Sequence, residues 1–175
     1  DEGPRDGEPV LCVHGNPTRS FIWRRLIREL SPTRRVIAVD HVGCGFSDKP
    51  QDYPYRLEQH VTNLRRFVES LDLRNITLVG HDWGGCIGMR VAMLRPDLLR
   101  SWAISNAVAA PDYRGHRVAR IWNTPIFGEI FMALSKPAKL AEGLAAQGMP
   151  ADIAAEEAEQ WKNKDKRRAI LKLYR

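Results

Sequence analysis

Residues 78–88 read LVGHDWGGCIG. An apolar run ends in Gly80, a polar pair follows, and two glycines open a stretch of helical pattern. Small residues two positions on either side of Asp82 are what a nucleophile elbow needs, because the chain turns so sharply between strand and helix that flanking side chains have no room. The central side chain then projects above the carboxyl edge of a sheet. A serine in that place depends on a neighbouring base to remove its proton before attack. An aspartate arrives ionised, and the positive end of a helix beginning near Trp83 favours the anion. A carboxylate is a poor nucleophile toward amides but a serviceable one toward an sp³ carbon bearing a good leaving group, or toward a strained ring. The competing reading is plainer: Asp82 is an ordinary helix N-cap, a position where Asp is common.

On both sides of the elbow, short β-branched runs alternate with longer helical patterns, the order of a mostly parallel sheet flanked by helices on both faces. Strands are expected at residues 10–14, 36–40, 76–80 and 101–106, and helices at 21–30, 57–71 and 86–94. Pro96 closes the last of these. Beyond Pro111 the strand signal vanishes, and the chain reads as helices interrupted at Pro125, Pro137 and Pro150. The expected division is an α/β core over residues 1–110 and a helical cap or lid over 111–175. The apolar side chains between Ile121 and Leu134 either line a greasy tunnel or pack cap onto core, and packing is expected for most. There is no initiator Met, and the final residues ILKLYR stop within a helical pattern. The chain is therefore expected to be truncated at both ends, with the late strands of the fold absent.

A second arm for the site is expected from VLCVHGNPTRS, residues 10–20, which places His14-Gly15-Asn16-Pro17 after an earlier strand. In this architecture that loop contributes to an oxyanion hole. The Trp83 indole N–H is a donor with no acceptor capacity. Together with the Asn16 amide it forms a cradle for a departing halide or a developing oxyanion. Taken singly, Trp83 reads as a packing residue and Asn16 as a turn residue before proline. Gly43-x-Gly45 follows a strand, but Asp48 stands where a dinucleotide fingerprint needs its third glycine, so the segment reads as a tight loop. His60 and His116 read as isolated surface or packing residues, and His81 as a structural part of the elbow.

Lys and Arg number 27 against 21 Asp and Glu, a net charge of +6. The basic residues are scattered except for KNKDKRR at residues 162–168, which reads as a solvated helix face and not as a nucleic-acid surface. Cys12, Cys44 and Cys86 form no C-x-x-C pair and no zinc spacing. No metal and no cofactor is expected, and the compartment is expected to be reducing and cytoplasmic. No run of about 18 apolar residues suggests a membrane span.

HGNPT at residues 14–18, DHVGCGFSDKP at 40–50 and GHDWGG at 80–85, in this order and spacing, resemble the haloalkane dehalogenase branch of the α/β-hydrolase superfamily. The resemblance extends to about Ala107 and is diffuse beyond. It implies substitution at carbon by Asp82, a halide held by Asn16 and Trp83, and hydrolysis of the resulting ester by water. A later histidine with a carboxylate partner would activate that water. Where some dehalogenases place the partner acid, at the end of the strand after the elbow helix, this chain has Asn106. The β-lactone decarboxylases of bacterial olefin synthesis are similar over the same motifs. Epoxide hydrolases are a third relation; they also use the aspartate but need cap tyrosines, for which Tyr113 and Tyr174 are the candidates. All three readings imply a small apolar organic substrate. A fourth reading is a fragment or pseudoenzyme, able to be alkylated once at Asp82 but lacking the base that completes turnover.

Overall fold

Every second residue of Pro9–Val13 (β1) faces one side of a sheet, and the strand's two rows of apolar side chains enter different cores. Leu11 and Val13 join Val61, Leu64, Leu78 and Ile87 in the larger cluster, while Val10 and Cys12 meet Val36, Leu26 and Ile27 on the opposite face. Each fully buried aliphatic side chain contributes roughly 1.5–3 kcal/mol. A one-residue slip of β1 would exchange the two rows, so its register is firmly specified.

The computed structural model describes residues 1–107, 115, 117–146 and 148–175. Its sheet contains β1, Arg35–Val39 (β2), Ile76–His81 (β3) and Leu99–Ser105 (β4), in the order β2-β1-β3-β4 with all described pairings in the sheet parallel. A 3₁₀ turn at Ser20–Trp23 leads into Arg24–Leu30 (α1), which covers one face. Leu57–Ser70 (α2) and Trp83–Leu94 (α3) cover the other, α2 through Val61, Leu64 and Val68 at helical spacing. The expected strands and helices are found with no end displaced by more than three residues. The helix expected from Cys86 begins at Trp83, because the turn before it is only one residue long.

β1 is central and its two neighbours are reached in opposite directions along the sheet. The crevice at the carboxyl ends of β1 and β3 is therefore a topological switch point, the usual place for a ligand in an open α/β sheet. Val13 pairs with Gly80. Residues 14–16 and Asp82 consequently leave the sheet side by side.

The described chain after residue 116 is helical: Arg117–Asn123 (α4), Phe127–Leu134 (α5), Pro137–Ala146 (α6), Ala151–Glu159 (α7) and Lys164–Leu173 (α8). Pro137 opens α6 and Pro150 stands at the N-cap of α7, positions where a missing N–H costs nothing. The Asn163 side chain caps α8 by accepting the N–H groups of Asp165 and Lys166 at 2.9 and 3.0 Å. Trp122, Met132, Trp161, Ile170 and Leu171 form a separate core among these helices. Packing was expected for most of the apolar side chains from Ile121 to Leu134, and the structure corrects this. α5 turns Gly128 and Met132 inward but leaves Phe127, Ile130 and Leu134 at least half exposed, since positions three and four apart share one helix face. Among the described residues no helix is long and apolar enough to cross a membrane.

Candidate active site

Asp82 is the single residue between β3 and α3, and it is held at φ 54° and ψ −129°. A non-glycine residue at positive φ is sterically costly and persists where its surroundings over-determine it. Its N–H donates to Ser105 O at 3.1 Å, and its carbonyl accepts the Gly85 N–H at 3.0 Å. The flanking glycines make the turn possible. A Cβ at Gly84 would overlap the carbonyl oxygens of Val13 and His14, and one at Gly80 would lie 2.8 Å from Gly85 Cα.

Asp82 occupies the N-cap position of α3, yet its side chain caps no helix N–H. Its Oδ1 instead accepts the backbone N–H of Asn16 at 2.9 Å. The side-chain amide of Asn16 is the group the sequence points to for a departing halide or a developing oxyanion; the bond to the carboxylate is a separate one, from the main chain. What allows it is Gly15: a Cβ there would overlap Asp82 Cβ and stand 2.5 Å from Oδ1. The HGN order carried this signal, as a glycine beside the expected donor.

Asn16 is buried. Its Nδ2 donates to Ile170 O of α8 at 3.4 Å, the long end of the hydrogen-bond range, and its Oδ1 has no partner among the described residues. Asn16 and Trp83 line a common cavity of about 10 Å³, room for roughly one water molecule. Asp82 and Trp83 line an adjoining open cleft of about 720 Å³, together with Asn106 and Tyr174. The Tyr174 ring meets the Trp83 indole edge-on at 5.5 Å between centroids. The three candidate residues are thus brought to one rim, Asn16 bonded directly to Asp82 and Trp83 lining both cavities.

Behind this rim lie three buried imidazoles. His14 is fully buried; its Nδ1 bonds Gly15 O at 2.7 Å and its Nε2 accepts the His41 N–H at 3.0 Å. These two bonds define the neutral tautomer with the proton on Nδ1. Burial lowers its pKa to about 4 against the opposing pull of Gly15 O and Asp40. His41 lies 4.7 Å from the His14 ring and 5.5 Å from the His60 ring, centroid to centroid. Burial also drives His60 to about 4 and His41 well below its ordinary value. His60 therefore packs inside, as a member of a cluster and not as an isolated residue. His81 ends β3 with a buried Nδ1 that has no partner among the described residues, and it lines neither cavity. His116 and Tyr113 lie outside the described residues.

The loop at residues 40–50 is a scaffold. Gly43 N–H bonds Asp48 O at 2.8 Å, and the Asp40 carboxylate accepts the N–H groups of Ser20 and Phe46 at 2.6 and 2.8 Å. Burial raises the Asp40 pKa, but these backbone donors outweigh it and hold the group below its usual value. Among the described residues no His, Cys, Asp or Glu cluster is arranged to hold a metal ion.

Among known proteins the chain has relatives in both sequence and fold. The chain is 47% identical over 106 residues to a cis-3-alkyl-4-alkyloxetan-2-one decarboxylase of Shewanella oneidensis, an alignment covering 59% of this chain and 33% of that protein. It is 44% identical over 112 residues to a haloalkane dehalogenase of Psychrobacter cryohalolentis, covering 62% and 36%. The chain thus spans about a third of the length of these curated relatives. The crystal structure of a haloalkane dehalogenase from Bradyrhizobium elkani superposes with a TM-score of 0.83 at 28% identity, over 99% of this chain and 63% of that one. The α/β hydrolase fold family model matches residues 8–127, and the chain belongs to that family.

Proposed function

We propose that this chain carries the nucleophilic half of an enzyme that makes substitutions at carbon, with Asp82 as the attacking group. In the leading reading the substrate is a haloalkane. A carboxylate oxygen of Asp82 forms a bond to the carbon bearing the halogen, and the carbon–halogen bond breaks with its electron pair leaving on halide. The Asn16 amide and Trp83 indole receive that charge, and the ester then takes up water to give an alcohol, a proton and the free carboxylate. The observation that carries this reading is the carboxylate of Asp82, which sits on a positive-φ backbone, caps no helix N–H and accepts the Asn16 N–H at 2.9 Å at the edge of an open cleft. The helices from residue 117 onward serve as the cap over this cleft. The buried thiols of Cys12 and Cys44, which form no disulfide among the described residues, fit a reducing, cytoplasmic setting.

The identity to the oxetanone decarboxylase supports a second reading on the same residues. Asp82 would attack the ring carbon bearing oxygen and release a carboxylate on the neighbouring carbon. Loss of CO₂ would then expel the Asp82 carboxylate and leave an alkene, with no water consumed. Epoxide opening is a weaker third reading. It needs a proton donor for the alkoxide, and Tyr174 is the tyrosine among the described residues that lines the Asp82 cleft.

The experiment is to incubate the full-length enzyme separately with a primary bromoalkane, a cis-dialkyl β-lactone and a terminal epoxide. Bromide release is the expected result. Alkene formed from the lactone without bromide release would select the second reading. No product from any of the three would overturn the proposal.

A further inference from the structure

The segment carrying Asn16 is tied to the C-terminal helices at two points of unequal strength. At Asn16 itself the tie is weak, the 3.4 Å contact from Nδ2 to Ile170 O of α8. A ligand accepting from Nδ2 would replace it at little cost. Three residues on, Arg19 is 3% exposed and donates from Nε to Glu157 at 2.8 Å and from a terminal nitrogen to Glu156 at 2.6 Å, both on α7. Its guanidinium lies 4.7 Å from the centre of the Phe21 ring and 5.6 Å from that of Phe46.

Short, charge-assisted bonds in a fixed fork are among the strongest and most directional that side chains make. Glu157 is itself buried, so the bond it accepts from Arg19 Nε lies out of water. An exposed ion pair holds geometry poorly. A buried one holds it firmly, because separating the partners strands a charge.

We propose that Arg19 is a positioning residue: by forking onto Glu156 and Glu157 it fixes the height of the 14–20 segment over the sheet, and so sets where the Asn16 donors stand relative to Asp82. The inference rests on Asn16 acting at the reacting centre, as proposed above. It adds that the docking of α7 is read directly by that centre. A shift of α7 moves Arg19, then Asn16, without any contact between α7 and substrate.

The test uses Arg19→Met, Glu157→Gln and the exchanged pair Arg19→Glu with Glu157→Arg, followed by amide hydrogen exchange and steady-state kinetics. In the two single variants the Asn16 amide is expected to exchange about tenfold faster, with Leu11 and Val13 of β1 unchanged. The exchanged pair restores slow exchange. In the active full-length enzyme, kcat falls about tenfold with little change in KM, because the donors act mainly in the transition state. Unchanged Asn16 exchange in the single variants overturns the proposal, as does exchange that accelerates equally throughout the chain. Faster Asn16 exchange with unaltered kcat upholds the tie and refutes the role given to Asn16 in the reaction.

Discussion

The backbone N–H of Asn16 and the Oδ1 of Asp82, 66 positions apart in sequence, lie 2.9 Å apart at the carboxyl edge of the sheet. The contact joins the loop after β1 to the turn after β3, and it exists because those strands are neighbours paired at Val13 and Gly80. One carboxylate oxygen is thereby oriented. Asp82 also lines the open cleft.

Replacing the carboxylate is the first consequence. Asp82→Asn keeps the shape of the side chain and its contact with Asn16 N–H but removes the nucleophilic charge. The full-length variant is expected to lose measurable bromide release while keeping its thermal midpoint within a few degrees. Bromide release at the parental rate would contradict the assignment.

Removing either leaving-group donor should be costly but not fatal. Asn16→Ala or Trp83→Phe in the full-length enzyme is expected to reduce kcat/KM by about 10²–10³, the scale of a lost oxyanion-hole donor. Steady-state kinetics with a bromoalkane reads this directly. A loss confined to KM would indicate ground-state binding instead.

Gly15 is predicted to be intolerant of the smallest side chain. In Gly15→Ala the added methyl overlaps Asp82, and relief requires moving either the loop or the carboxylate. Overpacking of this kind costs about 1–3 kcal/mol. The expected result is a modest fall in urea midpoint with nearly complete loss of reaction at Asp82. Full activity in a folded Gly15→Ala protein would mean that the close approach is not used.

Acid should unfold the protein through its histidines. The folded-state pKa values of His14 and His60 are lowered from 6.5 to about 4 by burial, and His41 is lowered with them. Between those limits the unfolded chain binds protons that the folded one refuses. The contribution of His14 and His60 is therefore fully present above pH 6.5 and falls as the pH drops toward 4. Each imidazole contributes up to about 1.4 kcal/mol per pH unit inside the window. Urea titrations across this range should show the midpoint falling, and more shallowly in His60→Phe. A midpoint independent of pH would show that these rings are not buried neutral.

Much of the fold was legible because it rests on local pattern. The four strands are short aliphatic runs, α2 repeats its apolar residues at helical spacing, and the glycines around Asp82 announce a turn too tight for side chains. Asp82, Asn16 and Trp83 could likewise be picked out, each by residue type and place in a motif. What sequence could not supply were contacts between distant segments. Nothing local shows that Asn16 would offer its main-chain N–H, that His14, His41 and His60 would cluster, or that Arg19 would reach Glu157 across 138 positions. The exposed face of α5 was misjudged for a related reason: a helix rich in apolar residues on all sides does not declare which side faces the core.

The most direct test of the account is mass spectrometry of the chain after exposure to a primary bromoalkane, with peptide mapping of any adduct. The predicted result is a single added alkyl group, located on Asp82 and absent from Asp82→Asn. Alkylation falling only on cysteines or histidines, with Asp82 unmodified, would contradict it.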